Sequence, residues 1–342
     1  MKSQTKMFIF NKFINKKNKK KKNLLPIFKL ILILSLYELY KYLSVTFFKN
    51  VVKFKNFINV AYAFDNIYYY ITHVSMKSIM INQHKNTYII FHILVSDGIY
   101  NSQKPVIDDI CQEYKNCRIN YYILKDEFKE FSVSGIIRRT TAIYYRLMLQ
   151  NLLINETKTF YFDCDTLIYK DLTELYNYNI SEKYYIGKYE GKPLIKYGRN
   201  LSDFINSGAI LINLEKLRKD NIFPKMIDFL RKNNGRLLFL DQDAINVVCN
   251  SNNGFFPSNY ISSGICNLDA LHKINKAKSN LLVEQLKESY IFHFKKYKKP
   301  WHGIAKGKDK LICFDFFPRF YEFARKTKYY FIILEKFACF QN

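Results

Sequence analysis

The sequence predicts an α/β fold whose mainly parallel sheet is covered by helices on both faces. Three observations carry this. Short apolar runs of strand length alternate with longer segments whose apolar residues recur at helical spacing, the pattern of βαβ units. Hydrophobic residues make up 49% of the 342, enough to bury a large core. Glycine (11) and proline (7) are scarce, which excludes collagen-like and low-complexity architectures.

The elements follow in chain order. Residues 58–64 (INVAYAF) read as a buried strand, and residues 67–83 as a helix. Residues 88–95 (YIIFHILV) read as a second strand, ended by the turn signal Ser96-Asp97-Gly98. Residues 117–123 form a third strand, 141–154 (TAIYYRLMLQNLLI) a helix, and 159–162 a fourth strand running into Asp163. One α/β domain over residues 58–310 is expected.

The chain carries a net charge of +25, but it is too apolar for a disordered polycation. Residues 1–57 hold 14 lysines and a single acid, Glu38, so 13 of the 25 charges lie in the first sixth of the chain. Residues 1–23 read as a disordered basic tail. Residues 24–48 (LLPIFKLILILSLYELYKYLSVTFF) are long enough for a membrane span, although Lys29, Glu38 and Lys41 interrupt them. Lysines before such a segment favour a cytoplasmic N-terminus. The expectation is therefore a single-pass signal anchor followed by a stem at 49–57, with a membrane-surface helix as the alternative. The tail lacks arginine and adjoins no nucleic-acid module, so no nucleic-acid partner is expected. Residues 311–342 are aromatic and basic, and read either as an interfacial segment or as a helix packed on the domain. Seven cysteines make no disulfide scaffold and show no metal spacing.

Four segments carry chemistry. In FYFDCDTLIY, Asp163 and Asp165 point the same way if the chain is extended. Two such carboxylates are stable together when a hard divalent cation lies between them; the alternative is a strand-end turn in which each caps an N–H. Cys164 points the other way and reads as a small buried hydrophobe. FINSG (204–208) reads as a polar turn entering a buried strand, with Asn206 able to hold hydroxyl groups. LDQDA (240–244) opens a helix, Asp241 suiting the N-cap and Asp243 the positive end of the dipole; Gln242 is left unexplained. IFHFKKYKKPW (291–301) ends a strand at His293, followed by lysines and the only tryptophan. It reads as a metal ligand with a phosphate-meeting loop, or as a core histidine with a solvated loop.

In this order the segments resemble glycosyltransferase family 8, the retaining enzymes that include bacterial lipooligosaccharide galactosyl- and glucosyltransferases and glycogenin. The resemblance runs over residues 59–302, through VAYAFDNIYYYITHVSMKSI, TTAIYYRLML, FYFDCD, FINSGAILINL, LDQDAINVV and HFKKYKKPW. It implies a GT-A fold, a Rossmann-like mainly parallel mixed sheet flanked by helices, of nucleotide-diphospho-sugar transferase type. It implies a UDP-sugar donor bound with Mn²⁺, Mg²⁺ being the alternative ion. By position, Ala63, Asp65 and Asn66 would meet uridine and Arg146 would lie near the diphosphate. Asp163, Asp165 and His293 would hold the metal. Cys164, Lys296 and Lys299 would complete the donor site, Lys299 as the phosphate-binding lysine. Asn206, Asp241 and Gln242 would surround the donor sugar. Two positions depart from the family pattern: Phe64 stands where an acid is usual, and Lys296 where a glycine is usual.

The resemblance implies UDP-glucose or UDP-galactose as donor and a glycan, glycolipid or glycoprotein as acceptor. A xylosyltransferase and a catalytically inactive nucleotide-sugar-binding relative are the alternatives. Retention would proceed by attack from the leaving-group face through an oxocarbenium-like state, because Gln242 is a poor nucleophile but can support developing positive charge.

Overall fold

The first apolar run forms strand β1 (Asn56–Ala63), buried from Ile58 onward. The chain divides into units Met1–Lys53 and Phe54–Asn342. The computed structural model describes residues 54–65, 68–131, 133, 140–190, 194–196, 199–201, 204–263, 289–294, 299–302 and 317–338 of the second unit. After β1 come α1 (Tyr69–Asn82), β2 (Thr87–Ser96), α2 (Asp97–Glu113) and β3 (Cys117–Leu124). A 3₁₀ helix (Thr141–Met148) continues as α3 (Leu149–Leu152) and leads to β4 (Lys158–Phe162) and β5 (Thr166–Ile168). Next are α4 (Thr173–Tyr176), β6 (Tyr185–Tyr189), β7 (Leu194–Lys196), β8 (Arg199–Leu201) and β9 (Ile205–Asn213). Helices α5 (Leu214–Lys219), α6 (Ile222–Lys232) and α7 (Asp241–Val248) precede β10 (Asn253–Phe255), β11 (Ile261–Ser263) and β12 (Ile291–His293). A short 3₁₀ turn (Pro300–His302), α8 (Phe317–Arg325) and α9 (Tyr330–Ala338) follow.

The main sheet has the order β10-β6-β9-β4-β1-β2-β3. Strands β3, β2, β1 and β4 are parallel, and β9 runs antiparallel between β4 and β6. Apolar side chains cover both faces, with Val60, Tyr62 and Phe91 in one core cluster and Ala61, Tyr161 and Ile210 in the other. That two-sided burial is why β1 and β2 read as continuous apolar runs. The expected α/β architecture, a mainly parallel mixed sheet flanked by helices, is therefore the fold of the described residues. Because β9 runs against β4, its first residues lie beside the carboxyl end of β4, where open α/β sheets bind ligands. A second sheet, β11-β12-β5, sets His293 of β12 opposite Thr166, one residue beyond Asp165.

Three local expectations are revised. Ser96-Asp97-Gly98 starts α2 rather than a turn: Ser96 is extended at the N-cap position and Asp97 lies in the first helical turn, where a carboxylate complements the helix dipole. Residues 141–148 are 3₁₀ before becoming α-helical. FINSG is not a turn; Ile205 to Gly208 already belong to strand β9.

The C-terminal aromatic segment packs on the domain. Phe320, Phe323, Ala324 and Ile333 of α8 and α9 join Tyr70, Ile71, Val74 and Trp301 in a third core cluster. These residues of α8 and α9 thus pack against protein, while Phe331 stays exposed. The expected single-pass membrane placement is corrected as well. Among the described residues no helix is long and apolar enough to cross a membrane, and residues 24–48 lie outside them. Lys29, Glu38 and Lys41 also oppose a span, since a charge at the centre of a spanning helix costs about 2.5–3.5 kcal/mol on insertion scales.

Phe320 is 1% exposed, with Trp301 at 5.0 Å and Phe294 at 6.2 Å between ring centroids. Phe320→Ala should cost about 3–5 kcal/mol in denaturant unfolding; a loss below 1 kcal/mol would contradict this packing. Two buried histidines set the acid limit of stability. His92 bonds Asn59 Oδ1 and the Tyr122 hydroxyl at 3.0 and 3.1 Å. Burial, aided by Arg118, lowers its pKa to about 4. Burial likewise lowers His73 to about 4, against the opposing pull of Asp109. Both rings are neutral when folded, whereas the unfolded chain takes up protons near pH 6.5. Their stabilisation is fully present above pH 6.5 and lost as pH falls toward 4, by roughly 3 kcal/mol per ring at most. Unfolding midpoints should therefore be lower at pH 5 than at pH 7, and equal midpoints would refute the assignment.

Candidate active site

The site forms where β4 ends, β9 begins, α7 begins and β12 ends. Past β4, Asp163 N donates to Gly208 O of β9 at 2.7 Å, and Phe294 N, just beyond β12, donates to Asp165 O at 2.9 Å. These backbone bonds bring both carboxylates to one imidazole. His293 Nε2 lies 3.1 Å from Asp165 Oδ1 and 3.5 Å from Asp163 Oδ2, and one ligand atom from each residue lies within 4.8 Å of the others. The three expected ligands therefore converge.

Whether they fit a metal is testable on one atom. Asp165 Oδ1 is buried and accepts no hydrogen bond, even though His293 Nε2 is close by. A buried carboxylate oxygen without a donor is costly, and a bound cation would satisfy it. Two carboxylates and an imidazole also suit a divalent ion such as Mn²⁺, so the residues fit. The other oxygen, Asp165 Oδ2, meets the Lys299 ammonium, which also donates to Phe294 O. Burial opposes ionisation of Asp165, but Lys299 and His293 outweigh it and hold the carboxyl well below the usual range.

Arg146, from the 3₁₀ helix, is 5% exposed. Its Nη2 bonds Asp163 Oδ1 at 2.9 Å and its Nε lies 3.1 Å from Asp241 Oδ2. Nη1 donates to Ser207 O at 2.6 Å, and the guanidinium lies 4.1 Å from the centre of the Tyr161 ring. Burial disfavours the charge, but Asp163 and Asp241 more than restore it and push the pKa further up. Asp241 was a candidate N-cap; instead its side chain is spent on Arg146 and on Ser207 Oγ, at 3.0 Å. The loop before α7 is clamped by Asp243, whose Oδ2 accepts from Leu238 N and Phe239 N at 2.9 and 2.8 Å. Between them Leu240 has φ +55°, a strained conformation for a branched residue.

That turn aims Gln242 at β9. Gln242 Oε1 accepts from Asn206 Nδ2 and Ser207 N, both at 3.1 Å. Asn206 Oδ1 in turn lies 3.0 Å from His293 Nδ1 and accepts from Gly208 N at 3.1 Å. Asn206 thus couples the metal-type cluster to Gln242. A cleft lined by Ala63, Phe64, Asp65, Tyr161, Asp163 and Cys164, among others, opens beside these groups. Thr140 donates to Asp65 Oδ2 at 3.2 Å. Phe64 is 3% exposed, so the position where the family usually carries an acid is a buried aromatic here. Cys164 is buried, with Sγ 3.5 Å from Ala63 O. Asn66 and Lys296 lie outside the described residues.

Sequence reasoning missed the roles of Ser207, Gly208 and Asn246. Asn246 brackets the start of β9, accepting from Ile205 N at 2.7 Å and donating to Ile205 O at 2.9 Å. It stands four residues after Gln242 and so shares its helix face, a legible signal. Gly208 also had one, since glycine inside a strand marks a close approach.

A Cβ at Gly208 would collide with His293 Cε1 and Asp163 Oδ2. Gly208→Ala should weaken Mn²⁺ binding by roughly tenfold or more, read by electron paramagnetic resonance of free Mn²⁺. Gly98→Ala, with nothing near its Cβ, should leave binding unchanged. Equal affinities in the two variants would contradict the proposed ligand set.

Comparison with known proteins accords with this geometry. A Haemophilus influenzae protein whose name proposes a glycosyltransferase is 28% identical over 253 residues, covering 72% of this chain and 73% of its own. The lipopolysaccharide 1,3-galactosyltransferase of Salmonella typhimurium is 22% identical, over 72% of this chain and 73% of its own. The solved galactosyltransferase LgtC, in complex with donor and acceptor sugar analogues, superposes with a TM-score of 0.60 at 19% identity. That match covers 79% of this chain and 96% of LgtC. The family model for glycosyl transferase family 8 matches residues 59–305, and the chain belongs to that family.

Proposed function

We propose that the protein is a retaining glycosyltransferase that moves a hexose, glucose or galactose, from a UDP-sugar to a carbohydrate-bearing acceptor. The observation that carries this is the convergence of Asp163, Asp165 and His293 with the Asn206–Gln242 pair at one edge of the sheet. Its family membership supports a nucleotide-sugar donor and a carbohydrate acceptor, and the galactosyltransferase name of the Salmonella relative supports a hexose.

Asp163, Asp165 and His293 would hold a divalent ion, Mn²⁺ with Mg²⁺ as the alternative. When bound it supplies Lewis-acid stabilisation of the leaving diphosphate. Lys299 stands beside the same carboxylate and, drawn to phosphate, adds its charge to the leaving group. Gln242 holds its amide oxygen between Asn206 and Ser207, able to face developing positive charge at the anomeric carbon. The acceptor hydroxyl attacks from the leaving-group face, its proton passing to the departing UDP oxygen. Arg146, spent on two carboxylates and the Ser207 carbonyl, positions Asp163 rather than binding diphosphate.

The test is UDP release by the full chain from a panel of UDP-sugars, with and without Mn²⁺. Release should require the ion and be fastest with UDP-glucose or UDP-galactose. Asp165→Asn should abolish the ion dependence, and Gln242→Ala should lower turnover by about 10²–10³-fold. No ion-dependent release from any donor by folded protein would overturn the enzyme reading. Near-normal turnover of Gln242→Ala would remove only the role given to Gln242.

A further inference from the structure

Away from this site two cysteines meet. Cys111, in the last turns of α2, and Cys117, the first residue of β3, have their sulfurs 2.6 Å apart. That is within about half an ångström of a bonded pair. The start of β3 lies at the opposite end of the parallel strands from Asp163, so neither sulfur belongs to the donor site. Cys111 is partly exposed and Cys117 buried, and five residues, Gln112 to Asn116, separate them. The loop between them is pinned on its far side: Asn116 O accepts from Ile89 N at 3.0 Å, and Asn116 Nδ2 donates to Thr87 O at 3.0 Å. The pair is therefore held together by the surrounding backbone.

We propose that Cys111 and Cys117 form a reversible disulfide that staples the end of α2 to the edge strand β3, with a low-molecular-weight disulfide as the oxidant. The hydrogen bond with Cys111, together with burial, holds the Cys117 thiol protonated, so the more exposed Cys111 meets the oxidant first. The Cys111 thiolate attacks one sulfur of the small disulfide, breaking its S–S bond and expelling one small thiolate. Cys117 then loses its proton and attacks the Cys111 sulfur, expelling the second small thiolate. Two protein thiols are oxidised, one small disulfide is reduced to two thiols, and the two protons end on those thiols.

Full-length reduced protein would be exposed to excess oxidised glutathione, its remaining thiols alkylated, and the chain cut with trypsin. Cleavage after Lys115 separates the two cysteines, so a disulfide is read directly as two linked peptides. We expect the linked pair, released by dithiothreitol, and a rise of roughly 5 °C in thermal midpoint on oxidation. Cys117→Ser should trap glutathione on Cys111. Full alkylation of both cysteines in the wild-type chain would overturn the proposal. So would glutathione persisting on wild-type Cys111, or linkage of either cysteine to a third. The wild-type map decides the matter even if the variant fails to fold.

Discussion

The site depends on a buried arginine. Removing a guanidinium from water costs several kcal/mol unless partners restore what water supplied. Arg146 finds them in Asp163, Asp241 and the Ser207 carbonyl, with the Tyr161 ring against its face. These partners come from the end of β4, the first turn of α7 and the start of β9. Satisfying one charge therefore fixes three elements against each other. It also orients Asp163: Oδ1 is taken by Arg146, which leaves Oδ2 for His293.

The remaining geometry follows from how tightly side chains crowd the start of β9. The His293 ring and the Asp163 carboxylate press so closely on residue 208 that it has no room for a Cβ, and Asn206 two residues earlier lies within reach of both His293 and Gln242. On the far side Leu240 takes a strained positive φ, held by the Asp243 clamp on the two amides before it. Without that turn, α7 would begin in another direction and Gln242 would not meet β9. Rigid elements thus carry the polar groups, and hydrophobic clusters hold the elements, among them the Phe204–Val247 contact between the entry to β9 and α7.

Much of this was legible in the sequence, for identifiable reasons. β1, β2 and β4 announced themselves because burial on both faces demands unbroken apolar runs. Asp163, Asp165 and His293 were legible as chemistry, since carboxylates closing an apolar strand need a reason. Their convergence was implied only by the family resemblance and not by the residues themselves, because it rests on the antiparallel pairing of β12 with β5, a contact across more than a hundred residues. Asp241 illustrates the opposite failure. Its position before an apolar helical run fits a cap so well that local chemistry explained it completely, while its actual partner, Arg146, is distant in sequence. Ser96-Asp97-Gly98 misled for the same reason: turn residues and helix-start residues are chemically alike.

The charge balance of the cluster shows how its carboxylates are held. Asp163, Asp165 and Asp241 contribute three negative charges, and Arg146 and Lys299 two positive ones. With its resident cations in place the cluster is near balance, Lys299 occupying one oxygen of the carboxylate that a metal would share. The other oxygen of that carboxylate, Asp165 Oδ1, faces His293 Nε2, so the resident cations steady the aspartates from one side and the imidazole meets them from the other.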